Sequence, residues 1–252
     1  MPTSKARFIK GRAALIGLFL FLQLGLPSTR PAAQTSARVR QEDNSDWWSG
    51  LRTVEVEPDA TEPQNRELPK SNFQILGVDL DENMFSQAAA KIGKPALVER
   101  GDAATGREQA CYVSTQGARR IYLIFEQGEV TFGFYLFEDG PAWSGSDACL
   151  ASRLITKRLA TASGLHLGQS PSQVIAILGA PSERRKNELV YSLSVTKKTS
   201  PEDLQLERKA NPSMNEKDIE ENYGSYNLGA GIDARFVDSK LTFLSVWTAE
   251  TN

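Results

Sequence analysis

The chain has 252 residues, 29 Lys and Arg against 31 Asp and Glu, one His, two Cys and a formal net charge of −2. That balance argues against nucleic acid or anionic lipid as a main partner, because both require clustered cations that displace counterions. One histidine and two cysteines are too few to supply a zinc ligand set of the usual kind.

Lys5, Arg7, Lys10 and Arg12 form a basic head, and residues 13–26 are an apolar run interrupted only by Gly17, Gln23 and Gly25. This is the layout of a secretory signal. Fourteen helical residues span ~21 Å, short of the ~30 Å hydrocarbon core, so cleavage after export is preferred to retention as an anchor. Residues 1–34 read as the signal peptide, with Ala32-Ala33-Gln34 and Thr35-Ser36-Ala37 as cleavage contexts and no Cys after the apolar run to accept a lipid. Its removal takes away five basic residues and no acidic one, leaving a net charge of −7. The expected location is periplasmic or secreted, with no stable membrane span after cleavage.

Residues 35–71 are polar and punctuated by Pro58, Pro63 and Pro69. They read as a disordered, Pro-rich leader. Trp47 and Trp48 are adjacent aromatics within it, and either dock back on the folded part or anchor a partner.

Folded structure is expected from residue 72. Asn83 is placed to cap a helix that runs without a breaker over Met84–Ile92 and stops at Gly93-Lys94-Pro95. Phe85, Ala88, Ala89 and Ile92 give it one apolar stripe. Strands are expected over residues 109–114, 119–126 and 129–137, the last two joined at Gln127-Gly128. In the third, Val130, Phe132, Phe134 and Leu136 make a core face. Tyr135 and Phe137 lie on the other face and are candidate contacts for a partner or a second domain.

The same design returns over residues 164–181. Gly164-Leu165-His166-Leu167 parallels Gly77-Val78-Asp79-Leu80, Ser170 takes the place of Asn83, and Pro171 stands at the first helical position. Val174, Ile175 and Leu178 form the stripe, and Leu178-Gly179-Ala180-Pro181 closes the helix. A repeat of 86 or 87 residues suits two small domains in tandem, at 72–155 and 156–252. Further strands are expected at 188–195, 231–237 and 241–248. Between them, about 197–228 reads as a charged insertion, a mobile loop with at most a helical turn or two near residues 216–223; the sharper alternative is partner contact through Tyr223 and Tyr226. Cys111 and Cys149, in an exported chain, are expected to pair. Closing that loop of about 39 residues removes ~4 kcal/mol of unfolded-state entropy.

The pattern G-L-x-L-G-x-S-x-x-x-V-x-x-x-L-G-x-P, carried by Gly164, Leu165, Leu167, Gly168, Ser170, Val174, Leu178, Gly179 and Pro181, resembles the superfamily of the β-lactamase inhibitory protein and the assembly lipoprotein BamE (the SmpA/OmlA family). The first copy keeps Gly77, Leu80, Asn83, Gly93 and Pro95. The resemblance implies an α+β fold of two tandem small domains, each a short helical pair on an antiparallel sheet, and makes enzyme inhibition one function to consider. The chain departs from the lipoproteins in having no lipid-accepting Cys, and it has one cysteine pair only, in the first copy.

No catalytic, cofactor-binding or metal-ligating residues are expected in this sequence. His166 has no nucleophile turn to serve. Asp79-Leu80-Asp81-Glu82-Asn83 starts like a calcium loop, but Met84 stands where the sharp turn requires Gly and Ala90 where a bidentate Glu belongs. The reading is an exported, non-catalytic binding protein acting on another envelope or extracellular protein. The alternatives are an inhibitor of β-lactamases or proteases, and an envelope hydrolase with carboxylates assembled in a cleft.

Overall fold

Period-two alternation of apolar residues builds one broad sheet in the computed structural model, which describes residues 63–100, 106–140 and 148–251. The first half holds a two-residue hairpin, β1 (Gln74–Ile75) and β2 (Val78–Asp79), then helix α1 (Met84–Ile92) and strands β3 (Leu97–Arg100), β4 (Arg107–Ser114), β5 (Ile121–Gln127), β6 (Thr131–Glu138) and β7 (Leu150–Ser152). The second holds α2 (Pro171–Leu178), β8 (Glu183–Arg185), β9 (Glu188–Lys198), α3 (Pro201–Ala210), α4 (Glu216–Tyr223), β10 (Ser225–Val237) and β11 (Lys240–Thr251). The class is α+β. No helix among the described residues is long and apolar enough to cross a membrane.

Strand order in the nine-stranded sheet is β3-β4-β5-β6-β11-β10-β9-β8, with β7 parallel to β4 beside β3. Strands that follow α1 fill one half and strands that follow α2 the other. The halves join where β6 pairs with β11, Phe134 opposite Val246 and Phe137 opposite Phe243. Leu123, Phe134, Leu136, Ile232, Leu244 and Val246 point to one face, where Met84 and Ala88 of α1 and Val174 and Leu178 of α2 cover them in a single buried cluster. The core is therefore shared across the expected boundary at residue 155. On the opposite face a smaller cluster gathers Val113, Tyr122, Ile124, Phe137 and Phe243 around the Cys111–Cys149 disulfide. Val130, assigned to the core by alternation, precedes β6 and is 44% exposed.

The two helix starts differ in detail. Ser170 forms a reciprocal capping box with Gln173. Asn83 makes no side-chain cap; the Asp81 carboxylate instead orders the approach to the helix, accepting from the Asn83 N–H at 2.8 Å and from Gln87 Nε2 at 3.1 Å.

Two expectations are corrected. The charged stretch about 197–228 is ordered, because β9 and β10 extend into it and α3 and α4 bridge them as a helical hairpin. Ser200 and Asn215 cap the two helices, Arg208 pairs with Glu216, and Ile219 is the single fully buried anchor. These polar contacts offset the low apolar content that pointed to a loop. Residues 63–71 of the leader are also ordered: Gln64 adds to the edge of β9 and Leu68 is buried, followed by a 3₁₀ turn over Lys70–Phe73. The rest of the leader, including Trp47 and Trp48, and the signal segment lie outside the described residues.

Candidate functional site: an apolar groove beside an open strand edge

The groove starts from a strand edge. Gln64 donates its N–H to Ser192 O (2.9 Å) and accepts from the Ser194 N–H (3.1 Å), a one-residue parallel addition to β9. The chain then turns inward across the helix side of the sheet. Arg66 fixes that turn, because its guanidinium donates to Leu178 O at 3.0 Å and Ala180 O at 2.7 Å, carbonyls left unpaired beyond the end of α2. Leu68 and Phe73 are pinned on the sheet, 7% and 9% exposed.

Between this crossing segment and the distal parts of β9, β10 and β11 lies a cavity of about 260 Å³. Its walls are Leu68, Phe73 and Leu80 on one side and Leu193, Val195, Leu228 and Ala230 on the other, with Thr248 at the end. Arg66, Glu67 and Lys70 stand at the mouth. Glu67 pairs with Lys197 at 2.8 Å and Lys70 with Asp79 at 3.2 Å, both in exposed positions where such pairs contribute ~0–1 kcal/mol. Such a surface can desolvate one or two apolar side chains and surround them with charge.

The predicted contact residues are distributed unevenly around it. Tyr226 lies opposite Lys197 and one alternation beyond Leu228 on the same strand face, next to the groove; Tyr223 ends α4, farther along. Phe137 is fully buried, stacked on Tyr122 with ring centroids 5.2 Å apart, so it is not a contact surface; its alternation with core residues hid the fact that both faces of β6 are covered. Tyr135 is half-buried on that same face and hydrogen-bonds Glu126 at 3.3 Å, and burial pushes its phenol up. Cys111 and Cys149 form the disulfide. His166 holds its Nδ1 2.8 Å from Leu167 O within a turn. Among the described residues no three His, Cys, Asp or Glu side chains come together to hold a metal.

Asp233 on β10 holds its proton more tightly than a free carboxyl does. It faces away from the helices opposite Ser245, and burial raises its carboxyl to about 6, with Glu188 adding to the rise and Arg235 and Arg185 opposing it. Neither the groove nor Asp233 has a signal in sequence, since each depends on register between distant strands. Models of protein families, curated proteins and solved structures contain no match to this chain.

Proposed function

We propose that the chain is an exported, non-catalytic binding protein that receives an apolar element of another envelope or extracellular protein in the groove between the leader and β9–β11. The observation that carries the reading is the groove's size and lining. At about 260 Å³ it falls below the ~300–1,000 Å³ of small-molecule pockets and matches one or two side chains presented by a protein surface. The basic head and apolar run at the N-terminus support export, and the Cys111–Cys149 disulfide is compatible with an oxidising compartment. The halved arrangement of strands around β6·β11 supports descent from a duplicated unit of the kind found in the β-lactamase inhibitory protein and BamE superfamily.

Capture from an envelope fraction with the tagged full chain tests this. Ala230 lines the groove, so Ala230→Trp fills it from the sheet side. The wild-type chain should retain a specific protein, and the filled variant should lose at least ten-fold of it. Equal retention by both, or nothing above background, refutes the groove as the binding site.

A further inference from the structure

The outer edge of β9 bears on how a partner enters. Residues along a strand alternate in the side to which their N–H and C=O point. Ser192 O and Ser194 N bond Gln64, and Val190 O bonds the Ser182 N–H, so the even residues of β9 face outward while the odd ones face β10. Continuing that alternation, Ser194 O, Thr196 N and O, and Lys198 N also face outward. The leader has already left the edge at Arg66, and none of these groups has a hydrogen-bond partner among the described residues. Thr196 and Lys198 are exposed. Val195, immediately before Thr196, lines the groove. An open stretch of strand edge and an apolar socket for a single side chain are thus adjacent, the two components of recognition by strand addition.

Charge narrows the class of partner. Arg66, Lys70, Lys197 and Lys198 surround this place against Glu67, Asp79 and Glu250, the last opposite Leu228, leaving one net positive charge on a chain whose sequence beyond the signal is at −7. Arg66 makes no ion pair with the described carboxylates; its donors go to carbonyl and amide oxygens.

Resting on the proposed groove-binding function, we infer that the partner is engaged through an extended, acidic segment that adds to β9 beside Ser194–Lys198 and places a large apolar side chain in the groove. The leader's own pairing at Gln64 shows that this edge accepts a strand, and the segment would continue where that pairing stops.

The probe is a labelled synthetic peptide, Asp-Glu-Val-Trp-Val-Glu-Asp, with Lys-Lys-Val-Trp-Val-Lys-Lys as the charge-reversed control, titrated against the full chain by fluorescence anisotropy. Amide exchange is followed by NMR in the same samples. The acidic peptide should bind at least ten-fold tighter than the basic one, weaken with added salt, and slow exchange of the Thr196 and Lys198 amides at least ten-fold. Thr196→Pro removes an outward N–H while leaving the β9–β10 backbone ladder its donors, at the cost of the Thr196 Oγ1 bond to Asn227 Oδ1, and should weaken binding at least ten-fold. Its fold is checked by an unchanged exchange pattern in β10. If the acidic peptide does not bind, binds without protecting those amides, or binds Thr196→Pro equally, strand addition is refuted. Loss of peptide binding in Ala230→Trp alone would leave the groove function standing without it; a peptide indifferent to Ala230→Trp as well would remove both.

Discussion

Replacing Asp233 with Asn should change how stability responds to pH more than it changes stability itself. Asp233 is surrounded by Ser245 and Val190 on the neighbouring strands and makes no hydrogen bond or ion pair with the described residues. The nearby cation is already committed: Arg235 donates to Glu188 Oε1 at 2.7 Å and lies 4.8 Å from the centre of the Phe243 ring. A carboxyl at about 6 when folded and 3.8 when unfolded binds its proton more tightly in the native state. The native state is thus favoured most at low pH, and the advantage is lost as pH rises through about 6, for a full difference of ~3 kcal/mol. Roughly 2 kcal/mol of it falls between about pH 4.5 and pH 8. Urea unfolding with the disulfide intact, at several pH values across that range, should show the wild-type chain losing this increment relative to Asp233→Asn, whose amide does not titrate. Parallel pH profiles for the two chains would refute the assignment of a half-buried, unpaired carboxylate.

Other perturbations have equally direct readouts. Cys111→Ser opens a loop spanning a sequence separation of 38 and should lower the unfolding free energy by ~4 kcal/mol, measured by chemical denaturation against the oxidised wild type. Ser170→Ala removes a capping box and should cost ~1 kcal/mol, whereas Asn83→Ala, where no side-chain cap exists to lose, should cost clearly less; thermal melts of the pair compare them. A methyl group at Gly231 would collide with Cε2 and Nε1 of the Trp247 indole, so Gly231→Ala should destabilise by ~1–3 kcal/mol and shift tryptophan emission.

Both core helices are legible in the chain because their signals are local: Gly93 and Gly179 end them where the spacing requires, and Met84–Ile92 and Pro171–Leu178 have the bounds the sequence implies. The long strands β4, β5, β6, β9, β10 and β11 are legible from alternation to within a few residues, apart from the extension of β10 back to Ser225. The short strands β3, β7 and β8 are not, since three or four residues carry too little period and owe their state to a neighbouring edge. Helix α3 buries no residue, so it has no stripe to detect; its order comes from Ser200, Arg208 and its packing beside α4. The groove draws on residues from Arg66 to Thr248, which only β9–β10–β11 register brings together.

The pairing of β6 with β11 sets the order in which the molecule can be completed. Residues 131–137 wait for residues 243–249, more than a hundred positions later, before either half of the sheet has a closed inner edge. Until then β6 exposes a full row of unpaired backbone groups beside Phe134 and Leu136. Closure across so long a span slows folding and prolongs exposure to edge-to-edge association. A chain made from its N-terminus therefore holds its first half unfinished until β11 arrives, a state that is hazardous if it lasts.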